Sequence, residues 1–464
     1  MASNPVILLE LNELCPHLLE KFISSGYLPN FKKLRDRSAQ YISDADVPVE
    51  QLEPWIQWVT VHSGLAPHEH NIKQLDEGHT LKKGRLWDYL SREGYKVWVC
   101  GSMNVGYETK SLSGMVLPDP WSEVVESYPK GEFDDFLHFV QLQVREYTNN
   151  GLPMNRKQVF KFLKFLLTRG IRFSTILAIG KQLIAEKVTG RGRWLRACIL
   201  DRLQWDVFSW YYKRHKPDFS TFFLNSVAHF QHVYWRNMEP EKFLVKPGKD
   251  QQEEFSKAIL TGYQRMDKII GQAIKLAGKD TTIVFCTGLS QQPCTKYESE
   301  GGKRYYRLSS VEALMSAIGV SKPYSCAPVM SEQFRIRLDR AEDVTELHRR
   351  LMGMKMGGRE VFSAKLEGKE IFLGCQFFHK VEDGAFMEFE GRSIPFYDVF
   401  YLVEETKSGM HHPDGVFWIS GKRAASGKKV EKVPLINVAP TILDIFGVSK
   451  PSIMRGESVL SGGL

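Results

Sequence analysis

The segment Val6-Ile7-Leu8-Leu9-Glu10-Leu11-Asn12-Glu13 decides the fold that the sequence predicts. It is an apolar run of strand length that ends in polar residues. A helix signal follows, with Pro16 at the expected start and Gly26 just past the expected end at Ser24. Continuous apolar strands are typical of parallel sheets that are buried on both faces. We therefore expect Val6 to Leu11 to be a buried parallel strand.

Four more apolar runs have the length of strands, and helical stretches lie between them. The runs are Tyr95 to Cys100, Thr221 to Leu224, Thr281 to Cys286 and Val416 to Ser420. The helical stretches begin near Pro16 and Pro29 and cover Trp87 to Glu93, about Glu253 to Ala277, and Ile436 to Phe446. Such alternation predicts an α/β fold with a doubly wound, mainly parallel sheet.

Two regions interrupt the alternation and divide the chain. We expect residues 1–133, 214–298 and 402–464 to form the α/β core, 134–213 to be a basic helical insertion, and 299–401 to be a small α+β cap. Within the cap, Phe334 to Leu338 and Glu370 to Gly374 are predicted strands on either side of a helix at about Asp343 to Met352. Lys422 to Lys432 is a predicted polar loop.

The composition is that of a globular protein, with 43% hydrophobic and 25% charged residues among 464. The N-terminus lacks the basic start of a signal peptide, and no apolar run is long enough to span a bilayer. The seven cysteines are dispersed and form no CxxC pair, which favours reduced thiols. We therefore expect a cytoplasmic location.

The net charge of +8 is concentrated in residues 156–196, where Glu186 is the one acid. The basic residues there are Arg156, Lys157, Lys161, Lys164, Arg169, Arg172, Lys181, Lys187, Arg191, Arg193 and Arg196. Such a region attracts phosphorylated sugars, nucleotides, anionic lipid surfaces or nucleic acid, although an ordinary solvated helical surface has the same composition. No specific nucleic-acid motif accompanies it. The expected partners are a small anionic or sugar-phosphate substrate and, for the insertion, an anionic surface.

Several segments resemble, in order, the motifs of one enzyme superfamily. Besides the first strand they are Gly26 to Leu34 (GYLPNFKKL), Trp58 to Ile72 (WVTVHSGLAPHEHNI), Gln231 to Trp235 (QHVYW), Gly409 to Phe417 (GMHHPDGVF) and Asn437 to Gly447 (NVAPTILDIFG). Together they resemble the alkaline phosphatase / type I phosphodiesterase-nucleotide pyrophosphatase superfamily, whose fold is sulfatase-like. The resemblance covers both ends of the chain and leaves out the insertion and the cap.

That resemblance implies a two-metal site, usually zinc, that activates a Thr or Ser nucleophile and stabilises a transferring phosphoryl or sulfuryl group. The family's ligands are typically three Asp, three His and the nucleophile oxygen. Here most of those positions differ. Asn12 and Glu13 replace the usual Asp-Gly, Pro54 occupies the nucleophile position, Ala228 replaces an Asp, and Thr287 and Gly288 replace an Asp-His pair.

His232 and His411 remain at metal-ligand positions of the family. The resemblance therefore implies at most one divalent metal, zinc or manganese, or no metal at all. Asn12 is the expected oxygen ligand, although an amide binds more weakly than a carboxylate. His229 lies three residues before His232, so the two share a helical face, and either His229 or His412 is a candidate third imidazole.

The residues around the replaced positions are polar and aromatic, and they follow predicted strands. In open α/β sheets ligands bind at the carboxyl ends of strands, so we expect these side chains to converge there. The predicted catalytic residues are Glu53 or Glu13 as the general base and His229, or alternatively His232, as the acid. The predicted substrate-binding residues are Trp55, Gln57, Asn225, Gln291 and Arg304.

Three functions remain open from the sequence. The first is a phosphodiesterase- or phosphatase-like hydrolase or transferase acting on a phosphate or sulfate ester or a phosphodiester. The second is a metal-independent enzyme acting on a sugar or nucleotide, for example in surface polysaccharide synthesis. The third is a non-catalytic descendant that binds a ligand or a partner. Fold alone does not separate them, because function depends on the site.

Overall fold

The computed structural model describes residues 4–48, 51–122, 124–148, 155–328, 333–403, 406–423 and 430–460. The strands are β1 (Val6–Leu11), β2 (Ala39–Asp44), β3 (Val97–Cys100), β4 (Gly114–Leu117), β5 (Phe219–Leu224), β6 (Thr282–Cys286), β7 (Ser290–Pro293), β8 (Tyr305–Leu308), β9 (Tyr324–Pro328), β10 (Phe334–Leu338), β11 (Lys355–Met356), β12 (Arg359–Glu360), β13 (Phe362–Glu367), β14 (Glu370–Cys375), β15 (Phe386–Phe389), β16 (Arg392–Pro395), β17 (Phe400–Val403), β18 (Gly409–His412), β19 (Asp414–Ser420) and β20 (Glu431–Pro434).

The helices, in chain order, are α1 (Pro16–Ser24), α2 (Pro29–Asp36), α3 (Pro54–Ser63), α4 (Pro67–His70), α5 (Leu86–Arg92), α6 (Asp134–Thr148), α7 (Arg156–Thr168), α8 (Phe173–Thr189), α9 (Arg196–His215), α10 (Ser226–Met238), α11 (Lys249–Phe255), α12 (Ala258–Ala277), α13 (Val311–Ala317), α14 (Ala341–Gly353), α15 (Phe396–Val399) and α16 (Val438–Ile445). Among the described residues, none of these helices has both the length and the apolar character needed to cross a bilayer.

Eight strands form one large sheet in the order β20-β2-β19-β6-β1-β5-β3-β4. Strand β19 is antiparallel to its neighbours β2 and β6, and the other adjacent pairs are parallel. The sheet is therefore mixed but mainly parallel, as the alternation of strands and helices predicts. Strand β1 lies inside it, hydrogen-bonded to β5 on one side and to β6 on the other.

Side chains of β1 enter a separate core on each face of the sheet, since successive strand residues point in opposite directions. Ile7 and Leu9 belong to a core shared with α1, α2, α9 and α12. Val6 and Leu8 belong to the core shared with α3, α5 and α16. Helices on both faces confirm the α/β class, and burial on both faces explains why this strand has so few polar residues.

All five predicted core strands are present, within two residues of their expected bounds. The helix expected from Glu253 to Ala277 is wrong as one element, because the chain forms α11 and α12 with a break at Ser256 and Lys257. The prediction also missed β2, β4 and β20, which are short or polar. Strand β20 begins inside the segment expected to be a loop, of which residues 424–429 lie outside the described residues.

The two interrupting regions have the expected secondary structure. Residues 134–213 contain α6, α7, α8 and most of α9. The cap contains β8 to β17 with α13 to α15, and its strands form the sheets β13-β14-β10-β9, β12-β11-β15-β16 and β17-β8. Its buried side chains, from Tyr306 to Phe400, form a hydrophobic cluster distinct from those of the main sheet.

Candidate metal centre

Glu13 lies just beyond the carboxyl end of β1, and its backbone has a left-handed φ of 59°. Its amide donates to the carbonyl of Thr287 (3.2 Å), and its carbonyl accepts from the side chain of Gln231 (2.7 Å). Left-handed backbone is uncommon outside glycine, asparagine and aspartate, so these contacts hold a conformation of higher energy. The side chain is 2% exposed. The turn therefore places a buried carboxylate at the carboxyl edge of the sheet.

His232 reaches this carboxylate from α10, the helix that follows β5. Its Nδ1 is 3.1 Å from the carbonyl oxygen of Gly409, and its Nε2 is 3.1 Å from Oε2 of Glu13. A carbonyl can only accept a hydrogen bond, so Nδ1 must carry the proton. Nε2 of His232 then either donates to Glu13 from an imidazolium or presents a lone pair toward the carboxylate. In the neutral ring, that lone pair needs a cation between the two groups.

His411 completes the group from β18, which pairs with β7 outside the large sheet. Its Nε2 is 3.5 Å from Oε2 of Glu13 and has no hydrogen-bond partner among the described residues. The His411 and His232 rings lie 5.1 Å apart between centroids and cross at 75°. Strand β18 can lie this close to helix α10 because residue 409 is glycine. A Cβ at this position would collide with the carbonyl of Gln231.

Glu13, His232 and His411 therefore converge, with one ligand atom from each lying within 4.8 Å of the others. In the described part of the chain this is the one such group of three His, Cys, Asp or Glu side chains. Two imidazoles and one carboxylate are a ligand set that proteins use for catalytic zinc and for other divalent metals, with positions left for water or substrate.

The electrostatics of the group favour its ligand-competent protonation states. Burial acts to raise the pKa of Glu13, but His411, His232 and a hydrogen bond from Gln291 outweigh it and lower that pKa to about 2. Burial lowers the pKa of His411 to about 4, against an opposing effect of the Glu13 charge. At neutral pH Glu13 is therefore a carboxylate and His411 a neutral imidazole, the forms in which they bind metals.

Amides surround the carboxylate and fix its orientation. Gln291 lies opposite His411 in the β7–β18 pair, and its Nε2 donates both to Oε2 of Glu13 and to the carbonyl of Ala228. The Asn12 amide donates to Oε1 of Glu13 (2.8 Å) and to Oδ1 of Asn225 (2.7 Å). Such second-shell contacts set the orientation and basicity of metal ligands.

The predicted oxygen ligand Asn12 has its side-chain oxygen in another contact, since Oδ1 accepts from the indole of Trp58 at 2.7 Å. A metal at this oxygen would have to replace that hydrogen bond. The assignment of Asn12 as a ligand stays a prediction, whereas the adjacent Glu13, predicted to be a general base, supplies the carboxylate of the group.

Glu53 lies next to the site at the start of α3, as the N-cap residue before Pro54. Its Oε2 is 3.6 Å from Nδ1 of His411, and its side chain is 36% exposed. Glu53 thus lies beside His411, whereas its predicted catalytic role stays a prediction. A partly exposed carboxylate beside His411 can take a proton from a water or a hydroxyl.

The remaining predicted residues lie farther from the group. His229 precedes it by one turn on α10, and burial together with His232 and Arg307 lowers its pKa to about 4. The indole of Trp55 donates to the carbonyl of Lys73, and the Gln57 amide donates to the carbonyl of Gln51. Arg304 lines a cavity of the cap with Tyr297 and Phe378. Among the predicted substrate residues, the structure brings Asn225 and Gln291 to the centre.

Two supporting residues were not predicted. Gln231 holds the Glu13 carbonyl, and its own oxygen accepts from the buried hydroxyl of Tyr263 at 2.8 Å. Gln231 stands directly before His232 in the segment that carries the sequence resemblance, so its position offered a signal. Tyr263 lies 32 positions away on α12, and nothing in its local sequence points to the site.

A comparison with protein-family models and with curated proteins finds no match for this chain. The chemistry of the centre therefore has to be inferred from its own geometry and from the sequence resemblance.

Proposed function

We propose that Glu13, His232 and His411 bind one divalent metal ion and that this centre hydrolyses or transfers a phosphate ester, sulfate ester or phosphodiester. The observation that carries the proposal is the contact between Nε2 of His232 and Oε2 of Glu13, with the unpartnered Nε2 of His411 directed at the same oxygen. One cation between these three atoms would satisfy all of them.

Zinc is the metal that best suits two imidazoles and a carboxylate, with manganese the second choice. When bound, such an ion polarises an ester oxygen and activates a water at neutral pH. The side chains of Asn12 and Gln291 would keep the Glu13 carboxylate oriented toward it.

The type of reaction is supported by the order of the resembling segments and by what replaces the nucleophile. Pro54 occupies the position of the expected hydroxyl, at the first turn of α3. Glu53 precedes it, and its carboxylate faces His411. Proline has no hydroxyl that could form a covalent intermediate. Direct attack by a water molecule is therefore favoured, with Glu53 as the general base.

A metal-independent centre is the second candidate, because the same 3.1 Å contact also suits an imidazolium of His232 that donates to Glu13. The imidazolium of His232 would then serve as a general acid and the carboxylate of Glu13 as a general base for a sugar or nucleotide substrate. The two candidates differ in metal content and in the protonation of His232.

Elemental mass spectrometry of the purified protein separates them. We expect about one zinc or manganese per chain, lost in His232→Ala, His411→Ala and Glu13→Gln. His412→Ala is the matched control, because this neighbouring histidine lies outside the group and its Nδ1 accepts from the backbone of Asp414. A wild-type protein that takes up no metal from zinc- or manganese-containing buffer would exclude the metal centre and leave the acid–base pair.

The role of Glu53 has its own test on the metal-loaded protein. In a screen of phosphate and sulfate esters, Glu53→Gln should lower kcat by about 100- to 10,000-fold, the usual contribution of a general base, while metal content stays unchanged. Unchanged kcat in Glu53→Gln would remove this residue from the reaction.

A further inference from the structure

Helices α7 and α8 of the insertion expose an unusual number of large apolar side chains. Of 17 exposed large hydrophobic residues in the described chain, ten lie between positions 159 and 188. They are Val159, Phe160, Leu163, Leu167, Phe173, Ile176, Leu177, Leu183, Ile184 and Val188, with exposed fractions from 40% to 79%. Exposed apolar residues are ordinarily scattered singly over a protein surface, and a concentration of this kind marks a contact surface.

On α7 the exposed apolar residues share one side. At about 100° per residue, Val159, Phe160, Leu163 and Leu167 fall within roughly a third of the helix circumference. Phe162, Phe165 and Leu166 are buried on an adjoining side of the helix, against the rest of the protein. The helix therefore has two apolar faces, of which one stabilises the fold and the other faces outward.

On α8 the exposed residues form a stripe along the whole helix, from Phe173 through Leu177 and Ile184 to Val188. The opposite side faces the protein and carries Glu186, the one acid of the basic region. Both of its oxygens accept from Arg196, and its side chain is 9% exposed. The negative charge is thus neutralised and directed away from the apolar stripe.

The charged residues beside these stripes are cations. In the described part of the chain, seven exposed basic side chains of this region form no ion pair: Arg156, Lys157, Lys161, Lys164, Lys181, Lys187 and Arg193. On α7, the three lysines follow one edge of the outward apolar face. A helix with an outward apolar face and lysines beside it matches helices that lie in the plane of a membrane interface.

We propose that α7 and α8 bind the surface of an anionic lipid bilayer, with the ten apolar side chains entering the boundary between headgroups and acyl chains. The seven unpaired cations contact the lipid phosphates and hold the helices at the surface. A water-soluble polyanion would contact the same cations but would not bury the exposed apolar side chains. This inference concerns a surface outside the metal centre and stands independently of the proposed function.

Flotation with lipid vesicles tests the proposal on the full chain. The wild type should float with vesicles that mix phosphatidylglycerol and phosphatidylcholine, roughly tenfold more than with phosphatidylcholine alone, and less as salt is raised. The triple variants Phe160→Ser/Leu163→Ser/Leu167→Ser and Leu183→Ser/Ile184→Ser/Val188→Ser should each lose most of this binding. So should Lys157→Glu/Lys161→Glu/Lys164→Glu.

The matched control is Leu244→Ser with Phe386→Ser, two exposed apolar residues elsewhere on the chain, which should float like the wild type. All the substituted side chains are exposed, and circular dichroism checks that each variant is folded. Three results would overturn the proposal: no flotation of the wild type with the anionic vesicles, full flotation by the serine variants despite loss in the lysine variant, and a dimer in sedimentation that the serine variants abolish. The second result would indicate a polyanion site, and the third a contact between two copies of this chain.

Discussion

A carboxylate as buried as that of Glu13 needs compensating positive charge or hydrogen bonds. Its two oxygens receive hydrogen bonds from Asn12 and Gln291 and face His232 and His411. The site thus depends on Glu13, whose left-handed backbone conformation directs its carboxylate toward the two histidines. At this scale the amide contacts are the part most open to substitution, because they touch the carboxylate without being ligands themselves.

Gln291→Ala should weaken metal binding by about 10- to 100-fold, the usual effect of removing a second-shell contact. The variant leaves all three ligands in place but frees Oε2 of Glu13 from its orienting donor. Competition titration with a chromophoric zinc chelator measures the change. Gln252→Ala is the matched control, since that glutamine also donates to a backbone carbonyl, that of Asn237, but lies on α11. Equal affinities of the two variants would contradict the role of Gln291.

Asp201 gives the protein a pH-dependent stability. Burial, partly opposed by a hydrogen bond from Ser226, raises its pKa from 3.8 to about 7. The folded state therefore holds a proton that the unfolded state releases near pH 4, so the free energy of unfolding falls as pH rises from about 4 to 7. In Asp201→Asn that loss should disappear, a difference of about 4 kcal/mol between pH 4 and pH 8.

Urea unfolding across this pH range measures the difference between wild type and Asp201→Asn. Asp250→Asn is the control, because this aspartate is 91% exposed and should leave the wild-type pH profile unchanged. If the profiles of wild type and Asp201→Asn were parallel, the buried carboxyl would not be the cause.

The sequence indicated the histidines of the site better than their carboxylate partner. His232 and His411 stand in segments that resemble known ligand motifs, so their meeting could be expected. Glu13 was expected to be a base and Asn12 a ligand, yet the carboxylate in the ligand group is that of Glu13. The direction of that side chain depends on a left-handed turn held by Gln231 and Thr287, which are distant in sequence.

At the scale of elements, an ion pair between Arg236 and Glu298 joins α10 to the loop that leads into the cap. Both side chains are 5% exposed, and the guanidinium donates to both carboxylate oxygens. The backbone N–H of Arg236 also donates to the hydroxyl of Ser408, just before β18. The pair therefore supports the segments that carry His232 and His411.

Glu298→Ala should lower the free energy of unfolding by about 3–5 kcal/mol, because it leaves a buried guanidinium without its counter-charge. Glu300→Ala, two residues away and exposed, should change it by less than about 0.5 kcal/mol. Chemical denaturation of both variants measures the contrast. Similar values for the two would show that the ion pair adds little beyond an ordinary surface charge.

Helices and strands that are marked by an apolar run or a starting proline could be predicted from the sequence. Strands that form only because adjacent strands pair with them could not. Strand β1 and helix α1 match their expected bounds, since one is apolar throughout and the other starts at a proline. Strand β2 has a largely polar sequence and only two buried residues, so no apolar run marks it. It forms because β19 and β20 supply hydrogen bonds on both sides, which is information outside its own sequence.

At the scale of the whole molecule, the cap is organised as a unit of its own. Its buried residues form a separate cluster. The chain enters and leaves it at adjacent points, since the Lys407 amide donates to the carbonyl of Lys303 at 3.0 Å. The alternation of strands and helices predicted the large sheet and the cap's place in the chain, but not that β19 runs antiparallel, because strand direction depends on tertiary connections.

Replacing residues 304–406 with a short Gly/Ser linker should leave a folded core that binds metal as the full chain does. The expected loss is confined to substrate affinity, because the three ligands lie outside the replaced segment. Circular dichroism and metal analysis test this on the shortened protein, with the full chain as control. Loss of folding or of metal would show that the cap is required to build the core.

The three proposed ligands are far apart in the sequence, which has a consequence for biosynthesis. Glu13 and His411 are 398 positions apart, the difference between their residue numbers. At bacterial to eukaryotic elongation rates, His411 is added about 20 to 80 s after Glu13. For most of its synthesis the growing chain therefore contains Glu13, which is buried in the folded protein, but does not yet contain His411. Under the proposed function, the full set of three ligands exists only after His411 has been added, so the ion would be acquired late in synthesis.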